Sequence, residues 1–194
     1  MGDCRVGSIQ MGRTYSTCLT LVAVLLTPIA ANADIILLEA PIDGPQAGAG
    51  MGTGSTSMAL AEMSYDDITM TLIWSISEVT PFFNSDVNFA HFHGPATPMQ
   101  NAAVQVWICD NLGAGPAGTP LCGGPGESFA SGSSVLSVSQ AEGLLAGLWY
   151  INTHTRGFPP GEIRGQVTRV PEPGTLALLG IGLLFLSITR RKTT

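Results

Sequence analysis

The chain has 194 residues, enough for one domain plus targeting segments, and its 24 glycines and 13 prolines favour many turns over long helices. Between residues 34 and 170 three arginines face twelve acidic residues and no lysine occurs, which leaves a formal charge of −9. Such a domain has no basic stripe to neutralise phosphates, so nucleic acid and anionic lipid surfaces are excluded as its expected partners.

The first element in chain order is a leader. Arg5 and Arg13 precede an apolar run, and Ala31-Asn32-Ala33 supplies the small-x-small pattern of a cleavage site. Leu19 to Ala31 falls short of the ~20 residues that a bilayer span needs. Residues 1–33 therefore read as a secretory signal peptide, with Met11 as a second possible start and Asp34 as the first mature residue.

Eight strand candidates follow: "DIILLEA", "GSTSMALAEM", "DITMTLIWSIS", "VNFAHFHG", "AAVQVWIC", "SFASGSSVLSV", "LWYINTHT" and "EIRGQVTRV". Turns rich in Gly, Pro and Asn separate them. The third alternates best, with Ile68, Met70, Leu72, Trp74 and Ile76 on one face, which is the period of a half-buried strand. Seven or eight short strands predict an all-β domain at 34–170, a two-sheet sandwich or a barrel, with the antiparallel immunoglobulin-like sandwich as the expected form. Trp74, Trp107 and Trp149 are expected in or near its core. The Gly-rich stretch "PIDGPQAGAGMGTGS" reads as an ill-ordered edge.

In "AHFHGPA", strand alternation puts His91 and His93 on one side, about 6.6 Å apart along the chain. That spacing suits two ligands on one metal ion, and His154 supplies a third if its strand lies alongside. Asn152 shares a face with His154, and Glu162 shares one with Arg164, which predicts a buried polar network. In this pattern Arg164 is the partner of Glu162.

Cys4 and Cys18 leave with the leader, while Cys109 and Cys122 remain and are expected to form a disulfide after export. The residues between them, "DNLGAGPAGTPL", read as a long hairpin loop. One helix is expected at "SQAEGLLAG", with Ser139 and Glu142 as its capping box and Gly147 as its stop.

The chain closes on "VPEPGTLALLGIGLLFLSITRRKTT". Residues 174–189 would make a helix of about 24 Å, slightly short of a ~30 Å hydrocarbon core. Arg190 and Arg191, with Lys192, then lie on the cytoplasmic side, and the domain outside.

Pro171, Glu172 and Pro173, followed by the apolar helix and the arginines, resemble the PEP-CTERM sorting signal of exported bacterial proteins. The resemblance implies processing by an exosortase, a membrane protease-transpeptidase, over a segment 171–194. The stretches "AHFHGPA", "LSVSQAEGLLAGLWYINTHT" and "PPGEIRGQV" resemble the CHRD domain, named for chordin, over roughly residues 35–169. That resemblance implies an extracellular β-sandwich of largely unassigned activity. The family's usual acidic-hydrophobic-proline element is at best distorted in "EAPIDGP".

Three function classes follow. The first is a non-enzymatic structural or binding module without cofactor, meeting an extracellular polysaccharide or a surface protein after an inner-membrane-anchored precursor stage. Its alternative is a zinc or copper module on His91, His93 and His154. The third is a hydrolase pairing His154 with Glu162 or Asp86, which no Gly-x-Ser-x-Gly or His-Glu-x-x-His motif supports. The expectation is that the protein is not an enzyme.

Overall fold

The computed structural model describes residues 34–171. The predicted leader and the span at 174–189 lie outside them, as do Glu172, Pro173, Arg190 and Arg191. Among the described residues no helix is long and apolar enough to cross a membrane.

The strands are β1 (Ile35–Asp43), β2 (Met58–Asp66), β3 (Thr71–Ile76), β4 (Val87–His93), β5 (Val104–Asp110), β6 (Ala130–Val135), β7 (Tyr150–Thr155), β8 (Ile163–Gln166) and β9 (Thr168–Arg169). A short coiled segment, α1 (Ala47–Gly50), and a helix, α2 (Val138–Leu145), interrupt them. All pairings are antiparallel, in the order β5-β4-β7-β8-β1-β2-β3-β6, with β9 also on β1. The domain is therefore one sheet curled until its edge strands β5 and β6 approach each other. The expected immunoglobulin-like division into two sheets does not appear in this pairing.

The reason lies in β1. Asp43 pairs with Arg164, Glu39 with Thr168 and Leu38 with Arg169, so β8 and β9 run in a single register along β1 and join the two halves of the sheet. Pro41 sits in the middle of this central strand, where a residue without an N–H normally breaks the ladder. The Gln46 side chain bridges β1 and β8 beside it. Its Nε2 donates to the Pro41 carbonyl at 2.8 Å, and its Oε1 accepts from the Gln166 N–H at 3.2 Å. Gly165 completes the join, because a Cβ there would collide with the Pro41 carbonyl.

Period-two alternation fills the interior. Leu38, Ala40 and Ile42 of β1, Ala61, Met63 and Tyr65 of β2, and Leu72, Trp74 and Ile76 of β3 are buried. Trp74 meets Phe92 edge to face at 5.4 Å, and Phe92 in turn packs on Trp149 at 5.9 Å. The inward face of β3 is shorter than predicted. Asp66 Oδ1 accepts the N–H groups of Ile68 and Thr69, and Met70 takes a left-handed φ of 54°, so Ile68 belongs to an exposed turn rather than the strand.

Helix α2 is capped by Ser137 and Gln140, not by Ser139 and Glu142. Ser137 is extended, its hydroxyl accepts the Gln140 N–H, and the Gln140 side chain accepts the Ser137 N–H. Ser139 lies inside the helix, while Gly147, at φ 71°, ends it as predicted.

The Cys109–Cys122 disulfide is formed. The loop it pins is not a hairpin: β5 pairs with β4, whereas β6 pairs with β3, so residues 111–129 cross from one edge of the sheet to the other.

Candidate metal centre

β4 and β7 are neighbours, with Ala90 opposite Thr153 and His91 opposite Asn152. Ala90 and Phe92 point into the core, so His91 and His93 share the opposite face. His154 joins them from β7. One ligand nitrogen from each of the three rings lies within 4.8 Å of the other two. Two nitrogens bonded at 2.0–2.1 Å to one tetrahedral zinc ion stand about 3.3 Å apart, so the rings must close slightly on an ion.

The face is covered rather than open. His91 is 4% exposed and His93 9%, while His154 is half-buried. Trp107 stands perpendicular to His91 at 4.1 Å, Phe89 lies 4.9 Å from His91 and 4.8 Å from His154, and Tyr150 stacks on His93 at 5.0 Å.

Backbone carbonyls select the tautomers of two rings. A carbonyl can only accept, so His93 Nδ1–H donates to Ala102 at 3.0 Å and His154 Nδ1–H donates to Pro159 at 2.7 Å. Both rings thereby present Nε2 as a lone pair. This outer contact is the one that orients metal-ligating imidazoles. His93 Nε2 and both nitrogens of His91 are buried without a hydrogen-bond partner, a cost that a ligand would relieve. His154 Nε2 accepts from Asn152 Nδ2 at 3.2 Å, and the same amide donates to the Pro160 carbonyl.

All three rings are held neutral. Burial lowers the His91 pKa to about 4, helped by the neighbouring His154 and His93. Burial likewise lowers that of His93, against the raising effect of the Ala102 carbonyl and with help from His154 and Arg164. His154 falls through burial, opposed by the Pro159 carbonyl. Neutral imidazoles are the form that binds a metal ion, and a three-nitrogen set suits zinc or copper.

The predicted network separates into unconnected parts. Asn152 serves His154. Arg164, 2% exposed, lies 3.4 Å over the Tyr150 ring and donates to Asn101 Oδ1 and to the carbonyls of Thr97 and Gln100. Glu162 accepts from the hydroxyls of Ser55 and Thr155 instead. The expected Glu162–Arg164 partnership is absent because the two side chains serve opposite faces of the sheet: Glu162 meets Thr155, and Arg164 meets Tyr150. The hydrolase pairing fares no better, since His154 bonds neither Glu162 nor Asp86, and Asp86 pairs with Arg156 on the exposed surface at 4.0 Å. Sequence reading missed the segment 97–102 and the prolines at 159 and 160. Two consecutive prolines offer carbonyls without N–H donors, which is the signal that was available.

A family model of the CHRD domain matches residues 38–167, and a model of the PEP-CTERM protein-sorting motif matches residues 169–192. The chain belongs to the CHRD family. As a CHRD protein with a PEP-CTERM motif it is exported, passes through a membrane-anchored precursor and is processed by exosortase. Neither the curated proteins nor the solved structures give a significant match. The three histidines, the disulfide and α2 all fall inside the CHRD match.

Proposed function

We propose that this CHRD domain is an exported metal-binding module that holds one zinc or copper ion on His91, His93 and His154. One observation carries the reading: three neutral imidazoles converge within 4.8 Å, and three of their nitrogen atoms are buried without a partner. Histidines that only held the fold would spend those nitrogens on protein hydrogen bonds. The carbonyls of Ala102 and Pro159 would orient His93 and His154, and Asn152 would yield the Nε2 of His154 to the ion. The reading includes no catalytic step.

On this reading the leader 1–33 is removed, the segment 174–189 holds the precursor in the inner membrane, and processing delivers the domain to the cell surface or extracellular polymer layer. A second reading, a module that binds a polysaccharide or surface protein through its sheet, is favoured by outward apolar side chains. Leu37 and Ile73 flank Ser64 on the outer face and are 55% and 53% exposed. Cobalt(II) titration of the full chain in detergent tests the first reading. It predicts the intense visible bands of a low-coordinate cobalt site, saturating at one equivalent and absent from His91→Ala/His93→Ala. Only the pale spectrum of hydrated cobalt would exclude the site.

A further inference from the structure

A second site lies at the end of the curled sheet where β2, β4 and β8 begin and β7 ends. A cavity of about 310 Å³ opens there, and its walls include Ser55, Thr56, Ser57, Phe82, Phe158 and Glu162. The mouths of β-barrels are recurrent ligand sites, and this volume reaches the lower end of their usual range.

Glu162 makes the cavity unusual. It is 4% exposed, yet among the described residues no cationic side chain lies within 4 Å of its carboxylate. Ser55 Oγ donates to one oxygen at 2.8 Å and Thr155 Oγ1 to the other at 2.6 Å. Two neutral hydroxyls orient a carboxylate without balancing its charge, and a buried charge ordinarily has a partner. Arg164, the expected partner, is committed on the other face.

We propose that this cavity takes the ammonium group of a small amine, with Glu162 as the charge partner. The hydroxyls of Ser55, Thr56 and Ser57 are acceptors for its N–H groups, and Phe82 and Phe158 face its alkyl portion or the cation. A calcium ion fits less well, because it takes six to eight oxygen ligands and the cavity offers one carboxylate. The site is separate from the histidines and does not depend on metal.

The test is calorimetric titration of the full chain in detergent with propylammonium, and with propanol as its neutral counterpart. Saturable binding of propylammonium alone, at least tenfold weaker in Glu162→Gln and weakened by salt, is expected. Equal binding of propanol, an unchanged affinity in Glu162→Gln or no binding to the native chain would overturn the proposal. Should Glu162→Gln fail to fold, Phe158→Ala keeps the carboxylate and must weaken propylammonium binding, and unchanged affinity there would also overturn it. The cobalt stoichiometry of these variants, unchanged from native, separates this site from the metal centre.

Discussion

At the scale of single residues, the side chains around the sheet are arranged by what each can accept or donate. Arg164 is buried on three oxygen acceptors and a ring, so Arg164→Ala leaves the Gln100 carbonyl without its donor, while the Thr97 carbonyl keeps the Gln100 N–H. We expect a loss of about 1–3 kcal/mol in urea unfolding, which Arg164→Lys does not restore because an ammonium lacks the planar fork. An unchanged midpoint would remove Arg164 from the structural account. The histidines give the metal-free protein an acid sensitivity. Their folded pKa values lie below the unfolded value near 6.5, so the unfolded state binds more protons. Stability of chelator-treated protein should thus be flat above about pH 6.5 and fall as the pH drops towards about 4, the His91 value. In His91→Ala/His93→Ala the fall over this window should shrink. The His-x-His spacing was legible because strand alternation alone places two rings on one side. The loss of the Glu162–Arg164 pair was not, because Glu162 lies just before β8, where strand alternation no longer fixes the side of the sheet its carboxylate takes. Ser55 reaches Glu162 from the Gly-rich stretch that read as an ill-ordered edge.

At the scale of elements, local patterns were good guides and pairings were not. All eight strand segments were visible from β-branched and aromatic runs between Gly and Pro turns. The cap of α2 was displaced by one box, since both Ser137-Gln140 and Ser139-Glu142 satisfy the same rule and only the extended backbone at Ser137 decides. Nothing in the Cys109–Cys122 segment says that β6 pairs with β3 rather than with β5. β1 and β8 approach closely at Gly165. Gly165→Ala drives a methyl group into the Pro41 carbonyl and should cost roughly 1–3 kcal/mol, measured as a lower denaturation midpoint. Full stability would contradict the close approach. Cys109→Ala/Cys122→Ala should lose about 2–4 kcal/mol by freeing the unfolded chain.

At the scale of the whole molecule, the address and the folded domain meet and overlap at residues 169–170. The sorting motif match begins at residue 169, where Arg169 still pairs with β1 and the Val170 N–H still donates to Leu37. An exported domain with a disulfide is compatible with an oxidising compartment. The most direct test of the metal account is the metal content of the protein as purified, measured beside His91→Ala/His93→Ala after exposure to equal zinc and copper. The account predicts close to one equivalent in the native protein and none in the variant. No bound metal in the native protein, or the same content in both, would contradict it.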